Sequence, residues 1–177
     1  MNKSNMAILG LALCMSVPAM AQSIPEKAGI NSLMGVAPRT ADFVKIAVIS
    51  DMFEIQSSEL ALQNHDPALS AFATRMIEDH KKTSAALQDL LHGGTVQLAP
   101  PTALDENHQD MLDKLKRLHG RDFALQYRSD QIEAHQDAVS LFRRYGEGGE
   151  NAGLKTWASN TMPTLESHLQ AARALPQ

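Results

Sequence analysis

The stretch DPALSAFATRMIEDHKKTSAALQDLLHGG, residues 66–94, decides the fold class. Asp66 before Pro67 is a helix start: a side-chain acceptor for the first free N–H groups, then a residue whose fixed φ suits the first helical position. Leu69, Met76, Thr83 and Leu90 recur at heptad spacing, and so do Ala73, His80 and Leu87. Two such rows on one face form the seam of an antiparallel helix pair. Gly93-Gly94 then ends the periodicity, as a helix C-terminus requires. His80 is the one ionisable side chain in the seam, flanked a heptad away by Ala73 and Leu87.

The neighbouring segments supply partners for that helix. Upstream, Phe43, Ile46, Ala47, Ser50, Phe53, Glu54, Ser57, Leu60 and Ala61 recur at helical spacing. They predict a helix over about 41–63 with Thr40 as its N-cap. Downstream, Pro100-Pro101 forces an extended path, and a shorter amphipathic helix is expected over about 105–118. Gly120 interrupts the pattern there. A third long helix is expected from Arg121 to Tyr145, ended by Gly146-Glu147-Gly148-Gly149, and a fourth from Ala152 to Leu175. Pro163 lies inside the fourth and is expected to kink it. No convincing alternating strand pattern appears. The expected class is all-α, a four-helix bundle with an additional short helix before the third long one.

Length and charge bound the rest. Lys3, the apolar run Met6–Val17 and the small residues of Ala19-Met20-Ala21 read as a signal peptide over residues 1–21, cleaved near Ala21. Lipidation of Cys14 is the rival reading, but Leu13 is not the small residue that such signals place before the cysteine. Residues 22–39, with Pro25, Gly29, Gly35 and Pro38, read as a flexible lead-in to a domain over 40–177. Cleavage would leave 15 basic against 20 acidic side chains and no cysteine. That excludes a disulfide framework and thiolate ligands. Mild acidity without a basic patch argues against nucleic acid as a partner. The apolar run is too short to span a membrane. A periplasmic or secreted location follows, with an envelope protein or a second copy of the chain as the partner classes left open.

Seven histidines occur. His65, His92, His108 and His119 fall at helix ends or on the short helix and read as solvated. His80, His135 and His168 fall inside helical stripes, and Glu54 does so on the first helix. Polar groups on core stripes need a partner. One on each of four helices is how bundles assemble a central metal site. Counting at the helical rise, Glu54 and His80 lie level on adjacent helices. His135 and His168 differ by roughly 9 Å in height if the third helix stops at Tyr145.

Glu54 with three imidazoles suits one transition-metal ion, Zn²⁺, Fe²⁺ or Mn²⁺, with Cu²⁺ as a further candidate. Asp79 stands ready as an outer partner of a ligand or as a ligand itself. The competing reading is a buried hydrogen-bond network that fixes helix register in a non-catalytic structural or interaction module. No nucleophile elbow or glycine-rich phosphate loop accompanies these residues, so no organic cofactor is expected. The scattered Met76, Met111 and Met162 read as core filling rather than a copper box.

Several runs also carry a family resemblance. Asp42-Phe43-Val44-Lys45-Ile46-Ala47 and Phe53-Glu54-Ile55 are followed by Ala71-Phe72-Ala73-Thr74-Arg75-Met76-Ile77-Glu78-Asp79-His80. With Ala134-His135-Gln136 and Pro163-Thr164-Leu165-Glu166-Ser167-His168, they resemble the bacterial family catalogued as domain of unknown function 4142. The resemblance runs from about Thr40 to Ala174. It implies a ferritin-like, exported bundle, of a kind often labelled an outer-membrane protein, with Glu54, His80, His135 and His168 at recurring polar positions. It implies no activity. Ile77, Ile132 and Leu165 stand three residues before the histidines, where ferritin-type Glu-x-x-His pairs place carboxylates. A di-iron centre is therefore not expected. The expected role is metal handling or envelope stress protection rather than rapid turnover.

Overall fold

The computed structural model describes residues 30–177 apart from residues 94, 95 and 97. The expected signal peptide, residues 1–21, lies outside the described residues. The elements in chain order are α1 (Ile30–Leu33), α2 (Thr40–Gln63), α3 (Pro67–His92), α4 (Glu106–Lys116), α5 (Gly120–Gly148) and α6 (Ala152–Arg173). No strand occurs among the described residues.

The helix starts show local chemistry at work. Asp66 Oδ1 accepts the Ala68 N–H at 2.9 Å. Asp105 and Asn151 cap α4 and α6 in the same way. Thr40 does not cap α2, contrary to expectation; Arg39 holds that position without a side-chain cap bond. The Thr40 hydroxyl is engaged by the Tyr145 hydroxyl at 2.8 Å instead. Gly120 does not interrupt a helix but opens α5 at φ +52°, a conformation that only glycine adopts without strain. The glycine run also behaves differently from expectation, because α5 continues through Gly146-Glu147-Gly148. A Cβ at Gly146 would stand 2.7 Å from Ser159 Oγ, so glycine there lets α5 and α6 approach closely. Pro163 sits within α6, which runs on to Arg173.

Two apolar clusters fix the helix directions. One gathers Phe43, Val44, Leu87, Leu91, Leu141, Tyr145, Leu154 and Trp157. The other gathers Phe53, Ala61, Leu69, Met76, Phe123, Tyr127, Ala172 and Leu175. Following these residues in order, α2 runs from the first cluster to the second, α3 and α5 run back, and α6 returns. Helix α2 packs along α3 and α5, and α6 packs along α5 and α3. Two antiparallel hairpins thus face each other, joined by one long crossover from residue 93 to residue 119 that carries α4. A single long crossover is the connection of ferritin-like bundles. Helix α4 buries Leu112 and Leu115 in the second cluster.

The lead-in is partly tied down. Arg144 Nη1 donates to the Val36 carbonyl at 2.8 Å, and Pro38 is buried. At the same end Phe43 stacks on Tyr145, with ring centroids 3.9 Å apart. Each fully buried aromatic of this kind contributes about 2–3 kcal/mol by leaving water. Between the two apolar clusters, every long helix turns polar: Asp51, Glu54 and Ser57 on α2, His80 on α3, Gln131 and His135 on α5, His168 on α6, all buried.

Candidate metal centre

Each histidine reaches this layer because helical periodicity puts it on the same face as flanking core residues. His80 lies between Met76 and Leu87, His135 between Tyr127 and Ala138, and His168 between Leu165 and Ala172. The three rings form a near-equilateral triangle, with centroids 5.6, 5.5 and 5.3 Å apart. One ring nitrogen from each lies within 4.8 Å of the other two, and this is the group among the described residues with metal-ligand geometry. All three side chains are buried, none more than 3 % exposed.

The hydrogen bonds assign the tautomers. His80 Nδ1 donates to Asp51 Oδ1 at 2.7 Å. His135 Nδ1 donates to the Gln131 carbonyl at 2.8 Å. His168 Nε2 donates to Asp79 Oδ2 at 3.0 Å. The opposite nitrogens, His80 Nε2, His135 Nε2 and His168 Nδ1, are buried without a hydrogen-bond partner. When each ring gives its proton outward, the remaining nitrogen carries a lone pair. With all three rings neutral, three lone pairs face one another in one buried layer and repel unless a cation, either a metal ion or a proton on His80, sits among them. Outward donation to carboxylate or carbonyl is also how metal-binding histidines are oriented. Imidazole nitrogens bind Zn²⁺ at about 2.0–2.1 Å, so small ring movements close the triangle on an ion.

Asp51 is an organising residue that sequence reasoning missed. Besides His80, its carboxylate accepts the Ser84 hydroxyl at 2.8 Å and the Thr83 hydroxyl at 3.1 Å. The available signal was its position one turn before Glu54, on the same face of α2. Asp79, anticipated as an outer partner, does hold His168. It also accepts Lys82 Nζ at 3.2 Å and Arg75 Nε at 3.4 Å.

Glu54 does not join the mutually close set. It is buried beside His135, with Oε1 3.8 Å from Nδ1, and its carboxylate makes no well-formed hydrogen bond, though the Gln131 amide is near enough to favour its charged form. Burial pushes its pKa up to about 7, against the opposing pull of His80. Burial also depresses His135, to about 3, with the positive His80 adding to the effect. His168 falls to about 4 for the same first reason, despite its bond to Asp79. On His80 burial again disfavours the charge, but the Asp51 hydrogen bond and charge, with Glu54 and Asp79, outweigh it and hold the pKa above the ordinary value. His65, His92, His108 and His119 stay outside the layer.

The height mismatch inferred for His135 and His168 is halved. His135 lies thirteen residues before the end of α5 and His168 sixteen after the start of α6, a difference of about 4.5 Å along the helices.

Fold and site together define an all-α, ferritin-like bundle with a buried three-histidine cluster that could hold a metal ion, in place of a carboxylate-rich centre. A model of the family described as Domain of unknown function (DUF4142) matches residues 26–175, and the chain belongs to that family. No curated protein and no solved structure gives a significant match.

Proposed function

We propose that the protein is an exported bundle that holds one divalent transition-metal ion on His80 Nε2, His135 Nε2 and His168 Nδ1. The observation that carries this reading is the set of three buried, unpartnered ring nitrogens, each facing away from an outer acceptor. Three neutral imidazoles favour Zn²⁺ or Fe²⁺. Mn²⁺, which prefers carboxylate oxygen, suits the set less well, because Asp51 and Asp79 are engaged in holding histidines. Three protein ligands leave a further coordination position open. Glu54 supplies a buried carboxyl close enough to compensate charge when the site is loaded. The role that fits is metal handling or protection in the cell envelope. Export is supported by the leader composition of Lys3, Met6–Val17 and Ala19-Met20-Ala21. No helix among the described residues is long and apolar enough to cross a membrane.

A second reading has a specific observation in its favour. Asp51 with Thr83, Ser84 and His80 ties α2 to α3, and Asp79 with His168 ties α3 to α6. Such links would fix helix register without any ion. Against it, the inward nitrogens make no bond to one another, although a register network would use them.

Elemental analysis of untagged protein purified from the envelope fraction separates the two. The metal reading expects close to one equivalent of a single transition metal and a concentration-dependent rise in melting temperature when Zn²⁺ is added to stripped protein. Less than about a tenth of an equivalent, with no thermal shift, would leave only the register network.

A further inference from the structure

The three histidines differ in what stands between them and water. His135 is backed by the Gln131 carbonyl of its own helix and by the buried Glu54. His80 is backed by Asp51, whose side chain is 11 % exposed and is pinned by two hydroxyls. His168 is backed by Asp79, whose side chain is 24 % exposed. Above Asp79, among the described residues, lies a surface clasp across the seam of α3 and α6. Arg75, 44 % exposed, reaches Asp79 Oδ2 through Nε at 3.4 Å and Ser167 Oγ through Nη2 at 3.0 Å. The exposed Lys82 completes it, at 3.2 Å from Asp79 Oδ1.

Exposed ion pairs of this sort are weakly held and reopen readily. The bonds backing His80 and His135 are shorter and more deeply placed. We infer that metal enters and leaves through the α3–α6 seam, with the Arg75–Asp79–Ser167 clasp as its gate and His168 as the ligand that moves to admit the ion. The proposal rests on the three-histidine site as the metal site. Opening needs only rotation of surface side chains and of one imidazole. The other two ligands and their partners keep their places, so the half-built site awaits the ion in a fixed geometry.

The gate is tested by two measurements on the full bundle. In the first, stopped-flow uptake of Zn²⁺ and its removal by a chromogenic chelator are compared in wild type, Arg75→Ala and Ser167→Ala. Arg143→Ala serves as the control, because Arg143 pairs with Glu166 on the α5–α6 side of α6 at a similar level. Arg75→Ala is expected to speed uptake and release alike by roughly five-fold, the rate equivalent of losing an exposed ion pair, with affinity nearly unchanged. Ser167→Ala should do the same to a lesser degree, and Arg143→Ala should do nothing. Unchanged rates in Arg75→Ala, or an equal acceleration in Arg143→Ala, overturn the gate.

The second measurement needs no metal. Carbethoxylation of stripped protein, mapped by mass spectrometry, should modify His168 before His80 and His135, and faster still in Arg75→Ala. Equal reactivity of the three rings, or His80 reacting first, also overturns it. If no metal binds but His168 shows the expected reactivity, the metal reading fails and the gated access to the histidine layer stands.

Discussion

Replacing Glu54 with glutamine turns the buried carboxyl into a measurable pH dependence. The unfolded chain ionises this group near its ordinary 4.5, whereas burial raises it to about 7 in the fold. The fold therefore favours the neutral form. The associated stability is fully present below 4.5 and is lost as pH rises through 7. Each tenfold displacement of a proton equilibrium is worth about 1.4 kcal/mol. At about pH 5.5 the folded protein still holds the proton and the cost is only about 1 kcal/mol; at about pH 8.5 it reaches about 3 kcal/mol. Glutamine has the same shape and no charge, so it escapes that change. Urea denaturation of metal-free wild type and Glu54→Gln at the two pH values reads the effect of Glu54 together with its coupling to His80, because titrations of groups that do not interact with Glu54 cancel in the difference. Wild type should lose about 2 kcal/mol relative to the variant between them. A difference constant within about 0.5 kcal/mol would refute the reasoning, since the carboxyl would then be ionised or solvated throughout.

Other substitutions separate the layers of the site. His80→Ala and His168→Ala should each abolish the Zn²⁺-dependent rise in melting temperature, while His65→Ala, exposed at the turn between α2 and α3, should retain it. Asp51→Asn should weaken Zn²⁺ affinity about 10–100-fold in a chelator competition, the usual loss when a histidine's orienting carboxylate is removed; an unchanged affinity would show that Asp51 does not set the His80 tautomer. Tyr127→Phe should cost about 1–3 kcal/mol in urea denaturation, because the Ser58 hydroxyl, bonded to Tyr127 at 2.8 Å in the buried layer, loses its partner. A loss no larger than about 0.5 kcal/mol would place water or another acceptor there.

Much of the fold was legible because it follows from local rules. The heptads of residues 66–94, the Asp66-Pro67 start and the stripe from Phe43 to Ala61 placed α2 and α3 to within a residue at each end. Gly146–Gly148 misled because glycine is a poor helix former on its own. The close approach of Ser159 rewards its small size, a tertiary effect invisible in one chain segment. That extension of α5 brings His135 toward the level of His168. Thr40 shows the same limit, since its hydroxyl is drawn away from capping by Tyr145 more than a hundred residues later.

The histidines of the site were legible as polar interruptions of apolar stripes, and the structure brings all three together. The set around them was read only in part. Matching heights paired Glu54 with His80, but Asp51 holds His80 and Glu54 stands beside His135. An aspartate on a helix is ordinarily solvated, so its place one turn before Glu54 was a weak signal for Asp51. Only the docking of α3 against α2 brings Thr83, Ser84 and His80 to its carboxylate.

The most direct measurement is of the ring nitrogens themselves. Two-bond ¹H–¹⁵N correlation of the histidine side chains reports the tautomer of each ring and the nitrogen that binds an ion. Metal-free protein should show neutral His135 protonated on Nδ1 and neutral His168 protonated on Nε2. Adding Zn²⁺ should shift His80 Nε2, His135 Nε2 and His168 Nδ1 together, leaving the outward N–H groups in place. Opposite tautomers, or ring nitrogens that ignore Zn²⁺ while the protein stays folded, would contradict a metal centre in this layer.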